Sequence, residues 1–401
     1  MNQISSVSRI FLLGLFAFFL AGCSPRQGEI EMAREKALAR LTRSIDVYKG
    51  LDRNPRSMDK EGNIILVPPS DWTSGFYPGC LWLAYELSDN PAFILPAREH
   101  TEILENEKDN GTTHDMGFKM CSSYGNGCQV THDPSYRSIL LESARTLISR
   151  YNPVVGCIRS WDHHRDVWEY PVIIDNMMNL ELLFRAFRET GDSLYYRIAV
   201  SHADHTMQNH FREDYSTWHV INYDTLTGKV ISRETHQGYS DSSCWSRGEA
   251  WGLYGFTMCY RYTKERRYLA QAEHIAAYIL QHLPGDMVPY WDYDAPRTPE
   301  EPRDASAAAI TSSALYELSL YGGEKAAYYR EKAEDILRSL SDKYMLPDTA
   351  TNCFILDHST GNYPAHSEVD VPIIYADYYF LESLIRRDSV QVPASSYKAA
   401  P

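Results

Sequence analysis

The sequence predicts an all-α fold, an (α/α)6 barrel of six helical hairpins, on three observations. Six charged, amphipathic segments rich in Tyr and Ala alternate along the chain with six drier segments rich in small residues. Like segments recur at roughly 45–75 residues, a longer period than in common solenoid repeats. Strand signals are confined to short pieces such as WHVINYD and GKVISRE, between Trp218 and Glu234, which read as a hairpin joining two repeats.

The wet segments begin at Gly28, Asp89, Pro134, Gly191, Lys264 and Gly323, and the dry ones at Asp71, His114, Asp175, Trp245, Asp304 and Asp370. A charged face turned to water and an apolar face turned inward make the first set covering helices. The dry set packs on itself to form the inner ring. The stretch from Trp245 shows the design: Leu253, Phe256 and Tyr260 form an apolar stripe of helical period behind a polar, aromatic start. Inner helices running the same way gather their N-termini on one face. That face then collects Trp72, Asp115, Asp175, Arg247 with Trp251, Asp304 and Asp370. Free N–H groups and the positive dipole ends there favour an anionic ligand.

Composition narrows the partners. A net charge of −14 with no long basic run excludes the concentrated cationic footprint that nucleic acid requires. The 29 Tyr and 8 Trp, many in polar surroundings, suit the stacking walls of a carbohydrate site as well as ordinary packing. No Gly/Ser-rich linker divides the chain, so residues 28–388 read as one domain, followed by a tail at 389–401.

At the N-terminus, Arg9 precedes the apolar run IFLLGLFAFFLAG, too short for a comfortable transmembrane helix. It ends in Leu20-Ala21-Gly22-Cys23, which resembles the lipobox of bacterial lipoproteins. That resemblance implies a signal peptide at 1–22, lipidation of Cys23 and a short linker at 23–27. It places the protein in the periplasm or at the outer membrane, tethered through Cys23 only. Seven further cysteines, an odd number, remain; Cys121 and Cys128 are near enough in sequence to bridge.

Among residues able to carry chemistry, Asp115 and Asp175 both stand at the start of an inner helix. An Asp there is ordinarily an N-cap. Here each follows bulky or apolar residues, Thr113-His114 and Ile173-Ile174, which would desolvate the carboxyl and raise its pKa as an acid catalyst requires. Arg247 between Trp245 and Trp251 suits a carboxylate beside a stacked sugar, although a structural ion pair fits it equally. His219 on the connector reads as structural or functional. His163-His164 and His202/His205 have spacings open to metal, but no third ligand is indicated and neither metal nor cofactor is expected.

The segments HDMGF, IIDNMMNLELL, WHV, HQGY…WSRGEAWGLYGF and NYPAHSEVDVPIIYADYYFLE together resemble the unsaturated glucuronyl hydrolases, glycoside hydrolase family 88, in order from about Trp72 to Leu384. The resemblance implies the same barrel and a substrate oligosaccharide ending in a 4,5-unsaturated uronic acid, as polysaccharide lyases leave it. It implies hydration of the C4–C5 double bond and release of the remaining saccharide through an unstable hemiketal. Asp175 then becomes the general acid and base, and Asp115 the second carboxylate. The binding residues become Trp72, His114, Trp161, His219, Gln237, Arg247, Trp251 and Tyr363. The alternatives are an unsaturated rhamnogalacturonyl hydrolase acting on pectin fragments and a non-catalytic glycan-binding lipoprotein. By location, Cys121–Cys128 and Tyr290–Arg303 are expected to be specificity loops.

Overall fold

The computed structural model describes residues 25–391. The signal segment and Cys23 lie outside the described residues. Twelve helical layers alternate outside and inside, as the wet and dry segments require. An outer helix α1 (Pro25–Tyr48) is followed by a small hairpin, β1 (Asn54–Met58) and β2 (Ile64–Val67), and then by inner α2 (Phe76–Ser88). Outer α3 (Ile94–Glu102) leads to the second inner helix, which is built in three pieces. These are α4 (Met116–Met120), one π-helical turn (Cys121–Gly125) and α5 (Asn126–Thr131). Outer α6 (Pro134–Ile148), the short pair β3 (Tyr151–Asn152) and β4 (Cys157–Ile158), β5 (Pro171–Ile173) and inner α7 (Asn176–Thr190) come next. Outer α8 (Ser193–Asn209), β6 (Val220–Tyr223), β7 (Val230–Glu234), inner α9 (Ser246–Thr263) and outer α10 (Arg266–His282) follow. The last two turns of the barrel are inner α11 (Ala305–Ser319), outer α12 (Ala326–Lys343), β8 (Ser359–Asn362), β9 (Ser367–Val371) and inner α13 (Ile374–Gln391).

The ring closes because each inner helix packs on the next and α13 returns to α2. Its interior tolerates close approach only where side chains are small. Every residue of α11, ASAAAITSSALYELS, is buried. At Gly117 of α4, a Cβ would stand 2.4 Å from the Cα of Asn179 on α7, so hydrogen alone fits between the two backbones. A hydrogen bond from the Phe118 amide to the Asn179 side chain, at 2.9 Å, fixes the same crossing.

Helix α1 runs against the inner helices α13 and α2. Arg34 near its start pairs with Asp388 near the end of α13 at 2.7 Å, and Ser44 near its end meets Tyr77 at the start of α2 at 3.0 Å. The first helix therefore begins at the end of the barrel where the inner helices finish. Terminal helices extend to Pro25 and Gln391, slightly past the limits 28 and 388 expected from sequence.

Two expectations are corrected. Cys121–Cys128 is not a loop: it forms the π-turn and the start of α5, inside the ring. It lines a cavity with Glu181, Arg185, Arg261 and Arg386, at the end where inner helices finish. The cysteines at 121 and 128 are free, as are the other five among the described residues.

Gly117→Ala places a methyl group against the α7 backbone. We expect it to destabilise the fold by about 1–3 kcal/mol, measured as a lower midpoint in denaturant unfolding.

Candidate active site

A cavity of about 430 Å³ opens at the end of the barrel where the inner helices begin. Its lining includes Trp72 ahead of α2, Asp115 ahead of α4, Asp175 ahead of α7, Arg247 in the first turn of α9 and Tyr375 in the first turn of α13. Asp304, ahead of α11, reaches the site through Arg247. All six inner-helix starts thus contribute, as parallel packing requires.

Asp115 and Asp175 occupy N-cap positions, yet neither side chain caps its helix. Asp304 does the ordinary job: its carboxylate accepts the Ser306 amide at 3.0 Å and the Ala307 amide at 3.3 Å. Freed from capping, Asp175 turns into the cavity floor. Burial raises its pKa to about 7; the nearby Arg247 guanidinium pulls the other way, and Asp115 adds a smaller upward push. Desolvation therefore outweighs like-charge repulsion in keeping this carboxyl protonated.

Backbone pairing brings His219 to Asp175. Strands β5 and β6 are antiparallel with Ile173 opposite Val220, and the Ile174 amide donates to the His219 carbonyl at 3.1 Å. Asp175 follows Ile174 directly, between the end of β5 and the start of α7. The Nδ1 of His219 accepts the backbone N–H groups of His236 at 3.1 Å and Gln237 at 3.2 Å. The proton of the neutral ring must then sit on Nε2. That nitrogen stands 3.7 Å from Asp175 Oδ2, and neither atom has a hydrogen-bond partner within the fold. Burial lowers the His219 pKa well below its ordinary value, so the ring is a neutral donor.

His114 repeats the arrangement. Its Nδ1 faces the Asn179 side-chain amide at 3.5 Å, and its Nε2 lies 3.3 Å from Asp115 Oδ1. Asp115 also accepts the Thr113 hydroxyl at 2.5 Å. Its side chain is somewhat the more exposed of the two carboxyls, 18% against 12%.

Aromatic rings form two walls. Trp72, Phe118 and Tyr375 pack together on one side, with Trp251 behind Phe118 at 5.0 Å between centroids. On the other side Trp161 stacks on His163 at 4.9 Å and 16°, with His236 and Trp168 beside it. The indole N–H groups of Trp161 and Trp251 are buried without partners.

Arg247 lines the cavity while its donors are engaged within the fold. One Nη donates to Asp304 at 2.8 Å and to the Thr360 carbonyl, and the other to the Gly361 carbonyl at 2.5 Å. Its guanidinium lies over the Trp245 and Tyr375 rings. The structure thus engages it as an ion pair and as the anchor of the β8–β9 hairpin. Gln237 anchors the same hairpin, donating to Gly361 at 2.9 Å.

Of the residues expected from sequence, Trp72, His114, Asp115, Trp161, Asp175, Gln237 and Arg247 line the cavity. His219 and Trp251 approach Asp175 from behind the lining. Tyr363 does not reach the lining; it stacks on Trp291 at 4.4 Å. Asp370 is also displaced from the rim, exposed on β9 and paired with His358 at 2.7 Å. Sequence reasoning missed Arg56, His163, His236, Glu368 and Tyr375. Arg56 comes from β1, which carried no signal; it grips Glu368 with two bonds of 2.7 and 2.6 Å and Asp71 with one of 2.8 Å. Among the described residues, no group of three His, Cys, Asp or Glu side chains is placed to hold a metal ion.

Comparison with known proteins agrees with this architecture. The model of Glycosyl Hydrolase Family 88 matches residues 53–379. An unsaturated glucuronyl hydrolase of Formosa agariphila is 49% identical over 356 residues, covering 88% of each chain. An unsaturated chondroitin disaccharide hydrolase of Streptococcus pneumoniae is 34% identical, covering 89% of this chain and 91% of its own. The crystal structure of an unsaturated glucuronyl hydrolase specific for heparin superposes with a TM-score of 0.88 at 46% identity, covering 91% of this chain and 98% of the other. Matched along most of its length in sequence and in structure, the chain belongs to glycoside hydrolase family 88.

Proposed function

We propose that the cavity binds the non-reducing-end 4,5-unsaturated uronic acid of a lyase-generated, glycosaminoglycan-type oligosaccharide and hydrates its C4–C5 double bond. The observation that carries this reading is Asp175, a buried carboxyl with a pKa of about 7, facing a neutral imidazole N–H. Family membership and the activities named for the relatives support it.

The chemistry asks for one proton donor and one acceptor. The substrate is a vinyl ether, so protonation at C4 leaves an oxocarbenium-like centre at C5 that the ring oxygen stabilises. Asp175 supplies that proton, being neutral near pH 7. The resulting carboxylate accepts a proton from the water that adds to C5, and Asp175 returns to its acid form. His219, fixed with its N–H toward Asp175, steadies the carboxylate and the incoming oxygen. Asp115 accepts a ring hydroxyl, and the aromatic walls sandwich the sugars. The hemiketal formed at C5 opens and releases the saccharide from C1. No group attacks the anomeric carbon, so carboxyl separation does not decide a retaining or inverting outcome.

Export and lipidation at Cys23 rest on the Leu20-Ala21-Gly22-Cys23 motif and are part of the same reading: a tethered enzyme at the cell envelope. No helix of the described residues is long and apolar enough to cross a membrane.

Hydration removes the near-ultraviolet absorbance of the unsaturated uronate. Wild type should bleach one or more unsaturated disaccharides from heparin, chondroitin or hyaluronan, and Asp175→Asn should lose at least about 10³-fold in kcat. Bleaching of pectin-derived disaccharides alone would reassign the substrate, and binding without bleaching would leave a glycan-binding protein. Because the acid form of Asp175 is the active one, kcat should fall as pH rises above about 7.

The same raised pKa carries a stability signature. Between pH 4 and 7 the unfolded chain ionises Asp175 while the folded chain does not, so stability falls with rising pH through that window. Asp175→Asn should therefore be more stable than wild type at pH 7, by roughly 2–4 kcal/mol in denaturant titrations, with the gain vanishing below pH 4. For the anchor, radiolabelled fatty acid should enter the wild-type chain in cells and fail to enter Cys23→Ala; equal labelling would refute lipidation at that residue.

A further inference from the structure

Behind the cavity, a second buried carboxyl has no place in the chemistry just described. Glu249, one turn into α9, is completely buried. Its Oε2 accepts the Thr217 backbone N–H at 2.9 Å and the Cys244 thiol at 3.2 Å, while Oε1 has no partner. Burial raises its pKa to about 8, against the pull of those two donors. An apolar side chain would avoid the cost of an unpartnered buried oxygen, so plain packing is a poor reason for an acid here.

The two groups that Glu249 joins belong to the two segments that build the catalytic corner. Thr217 lies two residues before His219. Cys244 precedes Trp245, whose ring lies 4.6 Å from that of His219 and 4.4 Å from the Arg247 guanidinium. On the outer side Arg212 donates to the carbonyls of Thr217 at 2.8 Å and Ser243 at 3.1 Å, binding the same two segments together. From the α9 side Glu249 is the matching staple.

We propose that Glu249 is a positioning residue for the hydration reaction: by tying the Thr217 amide to Cys244 it seats His219 between Trp245 and Asp175 and sets the aim of its Nε2–H. The proposal rests on the hydratase reading above. It separates from a merely structural role because its effect must travel through His219. A change at Glu249 that spoils only this aim lowers kcat and leaves KM alone, and it has nothing left to spoil once His219 is gone.

A double-mutant cycle on the full chain tests this, with bleaching of an unsaturated disaccharide as the readout. Glu249→Gln keeps a neutral acceptor for the Thr217 amide and should stay within about threefold of wild-type kcat. Glu249→Met, similar in length but without an acceptor, should lose about tenfold in kcat with KM within twofold, the loss of one hydrogen bond of ordinary strength. In a His219→Gln background the same Glu249→Met change should cost less than twofold. Cys244→Ala serves where Glu249→Met does not fold; it should give a smaller kcat loss that likewise disappears without His219. Wild-type kcat in Glu249→Met, or losses that multiply in the double variant, would overturn the proposal. Absence of bleaching in wild type would instead overturn the hydratase reading itself, and the positioning role with it.

Discussion

A carboxyl group removed from water must find partners or give up its charge, and this protein uses each solution at a different place. Asp304 is fully buried and keeps two kinds of partner, the first amides of α11 and the Arg247 guanidinium. Asp377, in the first turn of α13, accepts the amides of Ile355 and Leu356 at 3.0 and 2.9 Å, yet burial still raises its pKa to about 7. Asp175 has neither a cap nor a close cation, and it alone of the three faces the cavity. What sets Asp175 apart from the other two is its place on the cavity wall, since Asp377 keeps two backbone donors and its pKa is raised as well. A buried carboxyl is raised in pKa wherever desolvation exceeds what its donors and nearby cations return.

Arg247 shows how the site keeps that balance. Its charge pulls the Asp175 pKa down, and a free guanidinium closer by would pull harder. Asp304 and two backbone carbonyls hold it in place, so its field reaches the acid while its donors do not. The same bonds fasten the β8–β9 hairpin to the start of α9. That hairpin carries His366, Glu368 and Asp370 with positive φ, a strained backbone for residues with side chains. The clamp of Arg56 on Glu368 holds this wall from the opposite side.

The alternation of wet and dry helices was legible in the sequence, because twelve segments repeat one binary pattern and each inner helix is joined to the next outer one by a short turn. Asp115, Asp175, His219 and Gln237 were legible through their motifs. The pairing of Arg247 with Asp304 was not, since a guanidinium between indoles gives no sign of which carboxylate it meets. Arg56, Tyr375 and Glu368 are brought to the cavity by the closing of the ring, which joins residues more than 300 positions apart; no local pattern encodes that. Cys121–Cys128 misled because location along the chain was its only ground, and the segment continues the second inner helix.

The antiparallel course of α1 has a mechanical meaning. The helix starts beside the end of α13 and runs to the rim where the cavity opens, a rise of about 36 Å for its 24 residues. Anything that grips the chain just upstream of Pro25 holds the barrel by its far end, like a cup by its base. A bilayer gripping it there would leave the cavity facing away from the lipid and clear of the headgroups, open to long saccharides arriving from the aqueous side.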